Sequence, residues 1–144
     1  MQIFVPYREP ILVAQCLDKR RLNKQIIECR QILNAISGTS GAWCNHPVVK
    51  MYTPEGYRDF VSSYMYCLKN WFFGFTTPAQ VYSDIALDCI PEFINEEFCI
   101  QHRRRLYTKA PELYPQFAEY GISEENWYFI DGKLVKYING KRIL

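Results

Sequence analysis

Long apolar runs are missing from this 144-residue chain. None approaches the roughly 20 residues that a membrane helix needs, so no spanning segment and no membrane partner is expected. The first ten residues, "MQIFVPYREP", lack a basic region followed by a long apolar one, and are not expected to be a targeting signal. There is no CxxC pair. The six cysteines, at 16, 29, 44, 67, 89 and 99, are read as reduced thiols of an intracellular protein. No internal repeat or low-complexity linker is present, which excludes solenoids and leaves one domain, 1–144, as the expectation. Strong net charge is missing too. At +2 the chain is no polycation, so any affinity for nucleic acid must come from local clustering.

What is present is apolar and aromatic. Hydrophobic residues make up 49% and charged residues 22%, a globular balance that can fill one core. The patterning is mainly α: a compact single-domain helical bundle with a small C-terminal β-hairpin or meander. The helical body is expected over about 10–120 and the β tail over about 126–144. "QIFVPY" reads as a short extended entry. Pro10 suits the first turn of a helix running to about Ile36, stopped by "SGTSG". Leu22, Ile26, Cys29, Leu33 and Ile36 form its buried stripe. Thr53 and Pro54 suit the cap and first turn of a second helix, with Tyr57, Phe60, Val61, Tyr64, Leu68 and Trp71 on its apolar face and Gly74 at its end. "TPAQVYSDIALDCIPEF" suggests short helical turns. Asn95 caps a third helix that ends before Pro111. Asp131-Gly132 and Asn139-Gly140, between β-branched and aromatic runs, are strong hairpin signals.

Chemistry is suggested first by "DKRRLNKQIIECRQIL", residues 18–33. Arg21, Lys24, Gln25 and Glu28 share one strip of helix surface. Cations there would hold phosphates and Gln25 would read or wedge a base. A carboxylate beside a deoxyribose would stabilise the positive charge that builds as an N-glycosidic bond breaks. An exposed Lys24–Glu28 pair, contributing roughly 0.3–0.5 kcal/mol, explains the same spacing. Asn45 and His46, held in a bend by Pro47, suit a phosphate or a base, and equally suit capping of a neighbouring helix. His102 and Arg105 lie one turn apart, with Lys109 beyond. Arg103, Arg104 and Arg105 point about 100° apart, so they cannot all meet one ligand, and a solvated face is the plainer reading. Trp127-Tyr128 with Lys133 and Lys136 suits base stacking or simple core packing. Cys44, His46, Cys99 and His102 have a zinc-like ligand set at unfamiliar spacings, and no metal site is expected from them.

The blocks "LDKRRLNKQIIECRQIL", "AWCNHPVVKMY", "GYRDFVSSYMYCLKNWFFGF" and "HRRRLYTKAPELY", in that order, resemble the pyrimidine dimer DNA glycosylase/endonuclease V family, in its bacterial and phage form. The likeness covers roughly residues 1–120. It implies a DNA repair N-glycosylase acting on damaged or modified pyrimidines in double-stranded DNA, without a cofactor. It also implies an abasic-site lyase step through an imine. In the family's founding enzyme an N-terminal amine attacks the sugar C1′ and a glutamate of the first helix is essential. That glutamate matches Glu28, and Arg21 falls where a DNA-contacting residue would lie. Residue 2 is Gln here, before which Met is generally retained, so the candidate amine is that of Met1. Lys24 or a water nucleophile are the alternatives. The expected catalytic set is Glu28, Met1 and Lys24. The expected DNA-binding set is Arg21, Gln25, Asn45, His46, His102, Arg105 and Lys109. A monomer inside the cell, in the cytoplasm or nucleoid, encoded by a bacterium, phage or virus, is expected. The rival reading is a non-catalytic DNA- or nucleotide-binding protein on the same scaffold.

Overall fold

The computed structural model describes residues 1–38, 41, 43–74 and 90–144. Most of the "TPAQVYSDIALDCIPEF" stretch, whose short turns were expected, lies outside them. Five α-helices are described: α1 (Pro10–Cys16), α2 (Lys19–Ser37), α3 (Pro47–Tyr52), α4 (Glu55–Phe72) and α5 (Glu96–Lys109). A 3-10 helix at Pro115–Tyr120 precedes β1 (Asn126–Ile130), β2 (Lys133–Ile138) and β3 (Lys141–Arg142). The architecture is the expected helical body with a three-stranded antiparallel meander.

The first long helix is two helices. Leu17 is extended, with ψ 138°, and Asp18 starts α2 by accepting from the Arg21 backbone N–H. An aspartate that caps satisfies an orphan donor, which it cannot do inside a continuous helix. Tyr114 also donates to the Asp18 carboxylate, which pins the break. Thr53 does not cap α4 either. Its hydroxyl donates back to Val49 O in α3 at 2.7 Å, and Pro54 takes the cap position. Asn95 caps α5 as its sequence suggests, accepting from Phe98 N at 2.9 Å.

The stripe of α2 is wider than its apolar residues imply. Leu22, Ile26 and Cys29 are buried, Leu33 and Ile36 are half-buried, and Gln25 and Glu28 are buried with them. The reason is that α2 packs on α4 with one side while the N-terminal segment lies along another. In α4, Phe60, Val61, Tyr64 and Leu68 are fully covered, as the helical spacing requires. In the meander, β1 pairs with β2 from Asn126↔Tyr137 to Ile130↔Lys133, and β2 with β3 at Tyr137↔Arg142. Both tight turns have positive φ at both central residues: 53° and 76° at Asp131-Gly132, 51° and 77° at Asn139-Gly140. That is the backbone a two-residue hairpin needs, and Gly takes the second position without steric strain.

The "short extended entry" is the spine of the molecule. Ile3, Phe4 and Val5 are all under 7% exposed, yet residues 1–5 belong to no sheet. Buried backbone groups without a ladder must find other partners. Here side chains supply them. Phe4 N–H donates to Gln25 Oε1 at 2.8 Å and Val5 N–H to His102 Nδ1 at 2.7 Å. Gln2 O accepts from Gln25 Nε2 at 2.9 Å, Phe4 O from the Tyr64 hydroxyl, and Pro6 O from Arg103 Nε at 2.8 Å. Three helices thus fix one strand.

His102 is therefore not a DNA contact. It is 1% exposed, in tilted contact with Phe98, and neutral, because Nδ1 must accept from Val5. Burial, then the Arg105 charge, pushes its pKa down from 6.5 to about 3. A protonated His102 would lose its acceptor, and its Nε2 has no partner among the described residues. The unfolded chain binds this proton near pH 6.5 and the folded chain near 3. Stability is thus full above 6.5 and lost as pH falls toward 3. Unfolding curves of the parent chain and His102→Gln check this. Gln retains an acceptor and does not titrate, so its stability is expected to fall less steeply across that window, by up to about 1.4 kcal/mol per pH unit.

The arginine run is neither solvated nor free. The Arg103 guanidinium lies 4.6 Å from the Tyr7 ring centroid and 5.2 Å from that of Tyr120, and bonds Glu96. Arg104 donates to Tyr120 O at 2.8 Å. Arg105 donates to Asn126 Oδ1 and Ser123 O, both at 3.0 Å, tying α5 to the tail. Periodicity alone could not foresee that these cations would be used as internal struts.

Candidate active site

The N-terminal strand and α2 bring Met1 beside Glu28. A cleft of about 140 Å³ is lined by Met1, Gln2, Phe4, Arg21, Lys24, Gln25, Glu28 and Lys109. It abuts a second of about 360 Å³, which shares Met1, Gln2, Phe4 and Lys109 and adds His46, Arg105, Asn126, Tyr128 and Tyr137. A larger groove of about 860 Å³, near Lys50, Tyr57, Phe93 and Phe129, holds none of the candidate residues. Size argues for that groove, but the titratable groups converge on the smaller clefts, and reactivity needs those groups.

Glu28 is 9% exposed. Its Oε2 accepts from Gln25 Nε2 at 3.0 Å and from Gln2 N–H at 3.3 Å. Burial raises its pKa above the ordinary glutamate value. The Gln2 bond, the Met1 ammonium, Lys24 and Gln25 pull the other way without cancelling the shift. The alternative reading of the spacing, an exposed Lys24–Glu28 ion pair, is not what forms: the carboxylate is buried and bonded to Gln2 and Gln25. Such a group is a stronger base than a free carboxylate and keeps its charge close to whatever sits over Met1.

Cations surround the cleft. Lys24 is exposed, with no hydrogen bond or ion pair among the described residues. Burial, then Arg105, Lys24 and Arg21, lowers the Lys109 pKa. Arg21 pairs with Asp18 at 3.2 Å and lies 5.6 Å from the Tyr114 ring centroid. The arrangement suits a polyanion more than a neutral ligand.

Other expected residues fall differently. His46 lines the second cleft, but its Nδ1 accepts from Val48 N at 3.1 Å, so it caps α3. Burial and then the Met1 ammonium lower its pKa, which keeps the cap neutral. Asn45 is exposed and lines neither cleft. Gln25 is 2% exposed and internally bonded, so it does not read a base. Arg105 reaches the second cleft with its guanidinium already engaged. Trp127 is buried, donates to Glu125 and carries Lys136 4.8 Å from its ring centroid, so it offers no free stacking face. Cys44 is exposed and Cys99 buried, and the described residues contain no group of three or more metal-type ligands. Sequence reading missed Gln2, Phe4, Asn126 and Tyr137. No spacing in the sequence marks the first two, because the partners of their segment come from three separate helices.

Residues 1–70 match the family model described as pyrimidine dimer DNA glycosylase. No curated protein and no solved structure matched the chain. The match stops short of the residue-120 limit that the motifs suggested, and leaves out α5 and the tail. It contains Met1, Arg21, Lys24, Gln25, Glu28 and His46. Over residues 1–70, which hold the N-terminal segment and the helix that build the cleft, the chain is similar to the pyrimidine dimer DNA glycosylase family.

Proposed function

We propose that the chain is a DNA N-glycosylase that removes damaged or modified pyrimidines from double-stranded DNA, with an abasic-site lyase step on the Met1 amine. The observation that carries this reading is the meeting of a chain-terminal amine, a buried carboxylate and two uncommitted lysines around one cleft. Lys24 and Lys109 hold the phosphates on either side of the target sugar. The duplex bends and the damaged nucleotide leaves the stack, a deformation offset by phosphate contacts.

The chemistry follows from the geometry. Glu28 takes a proton from the Met1 ammonium, leaving a free amine. The amine nitrogen attacks C1′ while the C1′–N bond to the base breaks, and the base leaves with the proton that Glu28 took, which returns Glu28 to its ionised form. Positive charge that builds on the sugar is stabilised by the Glu28 carboxylate. Ring opening yields an imine between Met1 and C1′. Loss of a C2′ proton then expels the 3′ phosphate, and water releases the enzyme. No step calls for a cofactor.

The test is cleavage of an ultraviolet-irradiated, end-labelled duplex and of an abasic-site duplex, each with and without borohydride. Cleavage of both, with a reduced covalent adduct, is expected. Salt-sensitive binding with no product, even after alkali, would replace the enzyme with a DNA-binding protein on the same scaffold.

A further inference from the structure

We propose that Gln25 is a positioning residue of this reaction, holding the N-terminal amine and the Glu28 carboxylate in one fixed array. The inference rests on the Met1 reading above. Three hydrogen bonds carry it. Gln25 Oε1 accepts from Phe4 N–H at 2.8 Å, and Nε2 donates to Gln2 O at 2.9 Å and to Glu28 Oε2 at 3.0 Å. The Gln2 N–H closes the array on the same carboxylate oxygen. One carboxamide therefore spans residues 2 and 4 of the strand and the acid one turn along α2. The array requires both an acceptor and a two-hydrogen donor on one planar group, buried at this depth. Glutamate lacks the donor, and methionine lacks both.

The strand has separate anchors farther in. His102 holds Val5, Tyr64 holds Phe4 O and Arg103 holds Pro6 O. Loss of the Gln25 amide thus leaves residues 1–3 held by the Gln2–Glu28 bond and the packing of Ile3, with the rest still pinned. The consequence falls on the placement of the amine, where a misplacement of 1 Å slows a reaction about 10²-fold.

Gln25→Met, of similar volume, is measured by borohydride trapping at saturating abasic duplex, alongside DNA affinity and thermal unfolding. Trapping is expected to slow by about 10- to 100-fold, with affinity changed less than about threefold. Gln25→Glu is the second variant, read by its pH–rate profile. Glu28 faces the Met1 ammonium and Lys24, with Cys29 and Tyr128 nearby. A second carboxylate at the 3.0 Å contact raises the range over which the pair ionises, so the acid limb moves to higher pH. If the acid that governs the rate were not the carboxylate Gln25 touches, that limb would stay in place. Parent-like trapping by folded Gln25→Met, a slowing matched by an equal loss of affinity, or an unmoved limb in Gln25→Glu overturns the proposal. If Gln25→Met does not fold, the Gln25→Glu profile decides. A parent chain that forms no adduct overturns the Met1 reading beneath it, which separates the two failures.

Discussion

Glu28→Gln is expected to lower base release by at least about 10²–10³-fold, equivalent to roughly 3–4 kcal/mol of transition-state stabilisation. Affinity for duplex is expected to survive. Among the described residues the carboxylate bonds Gln2 and Gln25 and forms no ion pair with Lys24 or Lys109, which remain on the rim. The same substitution is expected to leave the fold as stable or more so at neutral pH. Gln can still accept from Gln2 N–H. The sign follows from the raised pKa of Glu28. A carboxyl whose folded pKa lies above its unfolded value contributes stability below the unfolded value, and loses it as pH rises through the folded one. At neutral pH the parent chain holds a buried charge at a cost, and the amide does not. Thermal unfolding at pH 7 and single-turnover base release, run side by side, check both halves. The activity of the parent chain should also fall with acid along a limb above the ordinary glutamate range. Undiminished base release in Glu28→Gln would remove Glu28 from the mechanism.

Extending the chain by two residues ahead of Met1 is expected to abolish the borohydride adduct, a loss of at least about 10²-fold in trapping rate. The extension converts the Met1 amine to an amide, which is not nucleophilic. It also moves the new amine by about 7 Å, and a cleft of about 140 Å³ has little room for two further residues beside a sugar. Lys24→Gln is the paired measurement. It is expected to weaken binding through one lost phosphate contact while the adduct still forms. The reverse pattern, an adduct that survives extension and disappears with Lys24, would give the imine to Lys24. The primary amine of Lys24 is in the same cleft, but its side chain is solvent-exposed and unpinned, whereas Met1 is continuous with a strand held at residues 2, 4, 5 and 6. A pre-positioned nucleophile loses less entropy on reaching the transition state.

Local signals were enough for much of the fold. The α4 face, the Asn95 cap and the two Asp-Gly and Asn-Gly turns are each decided within a few residues, by helical spacing, one hydrogen bond and the left-handed tolerance of Gly. The helix break at Leu17-Asp18 was legible only in part. Asp18 is a good cap by itself, but Tyr114, 96 residues away, makes the break permanent. Long-range partners account for the other departures. His102 looks like a site residue at helical spacing from Arg105, yet it is the acceptor for a strand 97 residues earlier. Arg103 and Arg105 look like phosphate ligands, yet buried carbonyls and the tail engage them first.

The sequence by itself determined which helices and turns form, and that Arg21, Lys24, Gln25 and Glu28 share one strip, because those depend on neighbours three or four residues away. The tertiary structure alone decided that the strip is half interior, that Glu28 is buried against Gln2 and that Met1 lines the same cleft. Those outcomes depend on a strand that belongs to no sheet. Its buried N–H and C=O groups had to be satisfied by side chains from three helices, and no spacing within the sequence records that demand.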